Sequence, residues 1–483
     1  MEKTVIKDKI KSFLESKLFI ALIGVLTVIS WQSGLMYLSY IMFTILLGMI
    51  YAFKASGVSF ISLYILLVGG SSCSNYDAKG VQHIIGIVLI ILAAIPTSFF
   101  VIKDLIINRK DYFNKVKNDG IIRCMLILLT AMIMTFVVTK HYGSTAAYIL
   151  KYSLNIVFAI MVLTKVDISN DNQIDNVLFS IGIMILTIGG EVALRLMYMA
   201  THLDKMRGGT FGGNFVFHYD SLWDAIRAKQ VGIYWNVSNH WIMFTNIGLI
   251  MMPAYFVFTK KIGFKIYAAA CGLIGLGLGL ITFCRAGYLG LLAALIISIY
   301  VIISNLKKQR IRKCLKICYI SCAMVGVVIV GYLICNTSFG DTLFDKILYS
   351  NGRNILYEKG ISDFKNNWLL GTGAGTSKHN IQPIWNTMTQ KIINYHNCFI
   401  QMAATCGIIG LISFLIYILG CALRVYKRNM IIASFIGAAF ICSLIHGLFD
   451  TFYPSSEAMV VLTMLLCIVP KRDAIQIVKN EEF

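Results

Sequence analysis

Long apolar runs separated by short polar breaks extend from residue 18 to residue 469. An α-helix needs about 20 mostly apolar residues to cross the hydrocarbon of a bilayer, and its backbone polar groups are then satisfied within the helix. The pattern therefore predicts an all-α, polytopic integral membrane protein with about fourteen transmembrane helices. The predicted spans are residues 18–31, 35–53, 57–70, 81–102, 121–139, 144–164, 176–199, 236–258, 263–283, 286–303, 315–335, 395–420, 430–449 and 455–469.

Basic residues cluster in alternate connections between these spans, most densely at residues 103–123 and 307–316. Cytoplasmic connections carry an excess of Lys and Arg, so both termini are predicted to be cytoplasmic. The first apolar run follows a basic leader without a small-residue cleavage site, and we expect it to be retained as a helix. Only two non-cytoplasmic connections are then long, residues 200–235 and 336–394. Their aromatic and glycine content favours function over disorder.

This topology divides the chain into four segments. Residues 1–199 are predicted to form N-terminal transmembrane helices, and residues 200–335 the first outer loop and the middle transmembrane helices. Residues 336–394 form a large helical extracytoplasmic loop, and residues 395–483 the C-terminal transmembrane helices and a cytoplasmic tail.

Composition agrees with a membrane protein, since 58% of the residues are hydrophobic and only 14% are charged. The net charge of +20 follows from the basic cytoplasmic connections. It does not indicate nucleic-acid binding, because no soluble segment interleaves basic and stacking aromatic residues. The thirteen cysteines include no CxxC pair, so neither a zinc site nor a disulfide framework is predicted. The outer segments have no DxD or HExxH motif, so no metal or other cofactor is needed to explain them.

Arg285 stands in the sequence TFCRAGYLG, at the predicted outer junction between two spans. A charge at mid-bilayer costs about 2.5–3.5 kcal/mol, so an arginine at the edge of the hydrocarbon invites a functional hypothesis. A planar guanidinium beside the amides of a helix N-terminus suits a phosphate group. Anchoring to lipid headgroups is the structural alternative.

The second outer loop contains RNILYEKGISDF at residues 353–364, with apolar residues on one face at helical spacing. This predicts a short amphipathic helix at the membrane surface, with Arg353 facing the protein or the headgroups. A snorkelling arginine is the structural alternative. The turn NNWLLGTGAG follows, and its Gly371 and Gly373 would let backbone amides approach an anion or a sugar. A dinucleotide or P-loop site is not indicated, because no predicted strand precedes the turn.

Two histidines lie at the ends of predicted spans. His396 and Asn397 open one span, where an imidazole can accept a proton near neutral pH. His446 and Asp450 are four residues apart on one helical face, so the carboxylate could orient the imidazole. The structural alternatives are an interfacial hydrogen-bonded histidine and a helix-end pair that satisfies itself.

Glu191 and Arg195 are ionisable residues within a predicted span, four residues apart. This spacing favours an ion pair on one turn of helix. A place along a substrate cleft is the alternative.

Four stretches of the chain resemble the O-antigen ligase and polysaccharide polymerase superfamily, which includes the Wzy-type polymerases. They are RAKQVGIYWNVSNHW (227–241), TFCRAGYLG (282–290), GRNILYEKGISDFKNNWLLGTGAG (352–375) and YHNCFIQMAATCGIIGLISF (395–414). The last two are similar to the superfamily's large extracytoplasmic loop and the His-Asn pair that opens the next span. The chain departs from that pattern in having NVSN where the family often shows Asn-Pro-Asn, and no proline before the leucines of the turn.

The resemblance implies a GT-C-like, metal-independent, inverting glycosyltransferase of the bacterial cytoplasmic membrane, with its active site on the periplasmic or extracellular side. Such an enzyme moves a glycan from an undecaprenyl pyrophosphate carrier to an acceptor hydroxyl. Carried onto this sequence, Arg285 and Arg353 would hold the pyrophosphate, and His396 would be the base or orienting group for the acceptor. The expected partners are the lipid-linked oligosaccharide, membrane lipids and a chain-length regulator, and no nucleic acid. The predicted substrate-binding residues are Arg227, Asn239, Gly371, Gly373, Asn397, His446 and Asp450.

Three functions remain open at this stage. A polymerase joins lipid-linked repeat units into a surface polysaccharide such as O-antigen, capsule or exopolysaccharide. A ligase transfers the glycan to lipid A core, a protein or another acceptor. A transporter would instead move the lipid-linked glycan across the bilayer, for which ionisable groups near the midplane are typical. We expect the polymerase, because the polar motifs lie in or beside the outer loops.

Overall fold

A computed structural model of the protein describes residues 2–33, 36–72, 81–201, 206–207, 216–217, 221–227, 238–304, 306, 308–336, 353–385, 394–426, 431–450 and 456–469. These residues are helical apart from their connections and two short antiparallel strands, β1 (Met206–Arg207) and β2 (Val216–Phe217). The helices are α1 (Glu2–Leu14), α2 (Lys17–Gln32), α3 (Met36–Ala52), α4 (Phe60–Ser72), α5 (Val81–Ile107), α6 (Arg109–Lys117), α7 (Gly120–Met134), α8 (Tyr142–Lys165), α9 (Asp171–Thr201), α10 (Leu222–Arg227), α11 (Ser238–Phe258), α12 (Ile262–Leu280), α13 (Arg285–Ser304), α14 (Gln309–Asn336), α15 (Arg353–Asn366), α16 (Ser377–Trp385), α17 (Cys398–Val425), α18 (Ile431–Phe449) and α19 (Glu457–Cys467).

Each predicted apolar run contains a helix, but the count of fourteen spans is not supported. Among the described residues, nine helices are long and apolar enough to cross a membrane, or ten if the bent pair α1 and α2 forms one span. The helices α3, α4 and α19 have 17, 13 and 11 residues, fewer than the about 20 that a span requires. The structure therefore supports a polytopic helical membrane protein, in whose described residues fewer helices of spanning length are present than the fourteen predicted.

The chain forms two compact units. The first contains residues 1–123, 155–287 and 457–483, and the second contains residues 124–154 and 288–456. Segments that are distant in sequence thus share a unit. The four predicted segments describe topology relative to the membrane, and their boundaries stay predictions.

Helix α9 is the central helix of the first unit and packs against α2, α4, α11 and α12. Small residues allow these close crossings: an added Cβ at Gly24 of α2 would lie 2.6 Å from Ile183, and one at Gly248 of α11 would lie 2.6 Å from Ile185. Close backbone approach at glycine is a common means of packing helices in a membrane. The packing of α9 explains why most of its apolar side chains are buried.

The predicted ion pair between Glu191 and Arg195 is wrong. The Glu191 carboxylate, which is buried, accepts a hydrogen bond of 2.8 Å from Nε2 of Gln32 on α2. The Arg195 guanidinium instead lies over the ring of Tyr198, 5.3 Å from its centroid. A partner from a neighbouring helix has replaced the intrahelical one, and sequence spacing carries no information about such a partner.

Candidate functional site

The second unit brings together the start of α15, the connection before α17 and the end of α18. Helix α15 packs on α17, and α17 packs on α18. His396 lies in the connection with a φ of 55°, a left-handed conformation that is uncommon outside glycine. Such backbone conformations cluster at functional sites, where surrounding contacts hold them in place.

Asp450 is the side chain that faces His396. Oδ1 of Asp450 lies 3.3 Å from Nδ1 of His396, and the two side chains are 7% and 27% exposed. Nδ1 itself is buried, and the contact lacks the alignment of a hydrogen bond. The exposed part of the imidazole therefore lies away from Nδ1, and the carboxylate is placed to orient the ring.

Tyr357 connects Arg353 to this pair. The Tyr357 hydroxyl donates a hydrogen bond of 3.3 Å to the backbone carbonyl of His396, and Arg353 lies one helical turn before Tyr357. Burial raises the pKa of Tyr357, the positive charge of Arg353 opposes that rise, and the carboxylate of Asp450 adds to it. The phenol therefore stays a neutral donor, and it lies within the fields of both a guanidinium and a carboxylate.

Buried polar contacts fix the backbone just before His396. The Tyr395 hydroxyl donates to Oδ2 of Asp363 at 2.5 Å and accepts from Nδ2 of Asn380 at 3.1 Å. Lys359 also pairs with Asp363. Burial, and after it the hydrogen bond to Asp363, raise the pKa of Tyr395. These contacts join α15, α16 and the connection that carries His396 into one framework.

The glycine turn between α15 and α16 pairs with a break in α17. The amides of Thr372 and Gly373 donate to the carbonyls of Ala404 and Thr405 at 3.0 and 2.9 Å, and the amide of Ile408 donates to the carbonyl of Trp368 at 2.8 Å. Gly407 in α17 has a φ of 65° and interrupts the helix. Non-helical backbone inside a membrane segment is tolerated only where protein or water satisfies its polar groups, and the turn does so here.

Gly371 and Gly373, the glycines predicted to bind substrate, have backbone amides that form hydrogen bonds within the protein. The Gly371 amide donates to the Asn367 carbonyl at 2.8 Å, and the Gly373 amide donates to Thr405. Both glycines have positive φ, and an added Cβ at Gly371 would lie 2.4 Å from the Thr405 backbone. The amides expected to approach an anion or a sugar are thus bonded within the protein, and the substrate-binding role of the two glycines stays a prediction.

Asn397 is the N-cap of α17. Its side-chain oxygen accepts from the amides of Phe399 and Ile400 at 2.9 and 3.1 Å, and its nitrogen donates to the Leu448 carbonyl at 2.9 Å. This cap ties the start of α17 to the end of α18, and it explains why a span begins directly after His396. Its substrate-binding role stays a prediction, although both polar atoms already have partners.

His446 is fully buried in α18, one turn before Asp450. Asp450 also lies 3.3 Å from Nδ1 of His396, and the expectation from spacing that Asp450 orients His446 stays a prediction. Whether His446 binds substrate stays a prediction.

The first unit gathers the elements that carry the other predicted residues. Arg285 is the first residue of α13, and its side chain is exposed. The Trp223 ring of α10 meets the Phe283 ring edge-on at 5.5 Å, which brings the helix ending at Arg227 beside this turn. Nδ2 of Asn246 on α11 donates to the Gly287 carbonyl at 3.1 Å. The side chains of Arg227 and Asn239 lie outside the described residues, and their roles stay predictions.

Two residues of the site were not singled out from sequence. Tyr357 was expected only as part of an apolar face, although its spacing of four residues from Arg353 was a usable signal. Asp363 likewise was not expected to anchor Tyr395. Neither contact is visible in the sequence, because each joins α15 to the connection before α17.

Residues 269–415 match the family model Wzy_C, described as O-antigen ligase. No curated protein matches the chain. The match confirms the resemblance to the O-antigen ligase and polysaccharide polymerase superfamily, and it supports a role in the assembly of O-antigen or a related polysaccharide. The matched region includes Arg285, Arg353, Tyr357 and His396, whereas Asp450 lies beyond it.

Proposed function

We propose that the protein is a polysaccharide polymerase that joins polyprenyl-pyrophosphate-linked repeat units on the outer face of the bacterial cytoplasmic membrane. The observation that carries this proposal is the contact of His396 with Asp450, beside Arg353 and Tyr357 and within a chain that matches the O-antigen ligase family. A metal-independent glycosyl transfer from a pyrophosphate carrier needs a base for the acceptor hydroxyl, which an oriented imidazole can supply. It also needs positive charge to stabilise the leaving pyrophosphate, which a guanidinium can supply.

His396 is proposed to accept the proton of the acceptor hydroxyl. Asp450 holds the Nδ1 edge, so the other ring nitrogen, Nε2, is the atom available to the acceptor. The acceptor oxygen attacks the anomeric carbon from the face opposite the carrier, and its bond to that carbon forms as the bond to pyrophosphate oxygen breaks. The configuration inverts, the proton passes to His396, and the electron pair leaves with the pyrophosphate. Asp450 stabilises the imidazolium formed in this step.

Arg353 is proposed to bind pyrophosphate oxygens, and the same role, which the resemblance gives to Arg285, stays a prediction. A guanidinium presents a fixed fork of donors that matches phosphate geometry, and charge-assisted hydrogen bonds strengthen as charge develops on the leaving group. Arg353 is half-buried at the start of α15, and Arg285 is exposed at the start of α13.

Contacts of the large loop support its assignment to the outer side. The Ala374 amide donates to Oγ1 of Thr135 at 3.0 Å, and Gly373 packs on Thr139. Thr135 and Thr139 belong to the connection between α7 and α8, which the distribution of basic residues also assigns to the non-cytoplasmic side. Two segments that the predicted topology places on the same side are therefore in contact.

The experiment that tests the proposal is elongation by the purified protein in lipid bilayers, with defined lipid-linked repeats as the only substrate. We expect a ladder of longer lipid-linked glycans on a gel, because each product remains a donor and an acceptor. Transfer to an added lipid A core or protein acceptor without a ladder would favour a ligase. Movement of unchanged lipid-linked glycan across vesicles without bond formation would favour a transporter.

A further inference from the structure

A second group of basic side chains lies in the second unit, apart from the residues assigned to catalysis. The rings of His141 and His379 are stacked, with centroids 3.8 Å apart and planes at 9°. Nε2 of His379 lies 2.9 Å from Oγ of Ser144. Lys140 and Lys378, both exposed, are the neighbours of the two histidines in sequence. The stacked rings therefore join α16 to the connection before α8, and a lysine precedes each of the two histidines in the sequence.

No ion pair neutralises this group among the described residues. The carboxylates that form ion pairs there pair with other basic side chains. Like charges gathered in this way repel one another unless an anion lies between them. Consistent with that repulsion, burial lowers the pKa of His379, and the charges of His141 and Lys378 lower it further. The group is therefore better suited to a bound anion than to an empty surface.

The group also lies at a membrane boundary. Lys140 and His141 stand between the candidate spans Gly120–Val137 and Tyr142–Lys165. An anion that reaches them can be attached to a lipid whose chain remains in the bilayer, because basic side chains at span ends are at headgroup level.

A short chain of contacts links the group to the proposed site. Asn380 follows His379 on α16, and its amide nitrogen donates to the Tyr395 hydroxyl at 3.1 Å and to Oγ1 of Thr372 at 2.8 Å. Tyr395 immediately precedes His396. An anion at the stacked histidines would therefore bind to the same helix that helps to fix the backbone of the proposed base.

We infer that Lys140, His141, Lys378 and His379 form a second phosphate-binding site, which holds the pyrophosphate of a second lipid-linked glycan. This inference rests on the proposed function, because a polymerase acts on two lipid pyrophosphates at once. One carrier is the leaving group of the transfer, and the other remains attached to the acceptor. Arg353 is assigned to the first. Lys140 and Lys378 bind the second as donors of charge-assisted hydrogen bonds, beside the ring N–H groups of the stacked histidines.

The inference can be tested by counting bound carrier, without any sugar transfer. Polyprenyl pyrophosphate lacking a glycan is titrated into the purified protein in bilayer discs of zwitterionic lipid. We expect two equivalents on the wild-type protein, and one on the double variant K140Q/K378Q, whose second equivalent weakens by at least about tenfold. The matched control K365Q removes an exposed charge from α15 in the same loop and should still bind two. Both lysines of the group are exposed, so the variant is expected to fold.

A single equivalent on the wild-type protein would overturn the inference, as would two equivalents of unchanged affinity on K140Q/K378Q. A second titration uses discs that contain increasing amounts of anionic phospholipid. If it displaces the second equivalent in proportion to its amount, the site recognises headgroup phosphate and its assignment to a second substrate is wrong. Carrier binding does not require elongation, so a protein that binds two carriers but makes no ladder would contradict the proposed function and support the second site.

Discussion

Nδ1 of His396 lies 3.3 Å from Oδ1 of Asp450, with that nitrogen buried and the rest of the imidazole partly exposed. A carboxylate that holds one nitrogen of an imidazole leaves the other for proton transfer and favours the protonated ring once the proton has moved. The two residues come from different helices of the second unit, and the cap of Asn397 on Leu448 holds the same two helix ends together. This relationship is the basis of the proposed mechanism.

Removal of the Tyr357 hydroxyl tests whether its hydrogen bond holds the backbone of His396 in place. In Y357F the backbone carbonyl of His396 loses a donor, which should cost about 0.5–1.5 kcal/mol of stability and several-fold in elongation rate. The measurements are thermal unfolding of the purified protein and the initial rate of elongation. An elongation rate equal to wild type together with an unchanged unfolding midpoint would remove Tyr357 from the site.

Substitution of Arg353 tests phosphate recognition. Both R353Q and R353K should weaken binding of the lipid-linked donor, by on the order of tenfold or more, because lysine lacks the planar fork of donors. Carrier affinity and the KM of elongation are the readouts, and K365Q, an exposed charge on the same helix, is the control. If R353Q and R353K bind donor as tightly as K365Q and wild type do, the assignment of Arg353 to pyrophosphate is wrong.

Substitution of Gly407 tests the break in α17. An alanine Cβ there would lie 2.3 Å from the Leu369 carbonyl oxygen, at a φ of 65°. We expect G407A to lower the free energy of unfolding by about 1–3 kcal/mol or to prevent folding. The matched control is G277A in α12, where nothing lies within 4 Å of the added Cβ and a helical alanine should stabilise by about 0.5–1 kcal/mol. Equal unfolding midpoints for the two variants would contradict the described break.

The stacked histidines predict a dependence of stability on pH. Burial, His141 and Lys378 lower the pKa of His379 from its usual 6.5, so the unfolded chain binds this proton at a higher pH than the folded chain. Stability should therefore be fully present above about pH 6.5 and fall as the pH drops below it. In H379Q, the part of the decrease in stability with falling pH that comes from His379 should disappear. Thermal unfolding midpoints measured between about pH 5 and pH 7.5 check it, and identical slopes for the two proteins would exclude His379 as a contributor.

Much of the local structure follows from sequence. The apolar runs mark helices, the spacing of RNILYEKGISDF marks α15, and Asn397 is a recognisable cap directly before α17. These features depend on residues near one another in the chain, where periodicity and capping chemistry suffice. The runs that contain α4 and α19 are already short in the sequence, and the helices in them have 13 and 11 residues.

The partners within the site could not be predicted in the same way. Spacing pairs Asp450 with His446 on its own helix, but it does not predict the contact of Asp450 with His396 from another segment. Glu191 bonds to Gln32 from another helix rather than to Arg195. The break at Gly407 arises because the turn at residues 368–373 supplies its hydrogen bonds. All three depend on packing between helices, which the spacing of residues within one helix does not encode.

The most direct test of the central claim is the elongation rate of four purified proteins: wild type, H396Q, D450N and the double variant. General base catalysis contributes roughly 10²–10⁴-fold, so H396Q should lose about that much. D450N should lose a substantial part of it, and the double variant should be no slower than H396Q, since Asp450 acts through the imidazole. The control E358Q, an exposed carboxylate of α15, should elongate normally. Elongation by H396Q at the wild-type rate, with carrier binding intact, would contradict the account.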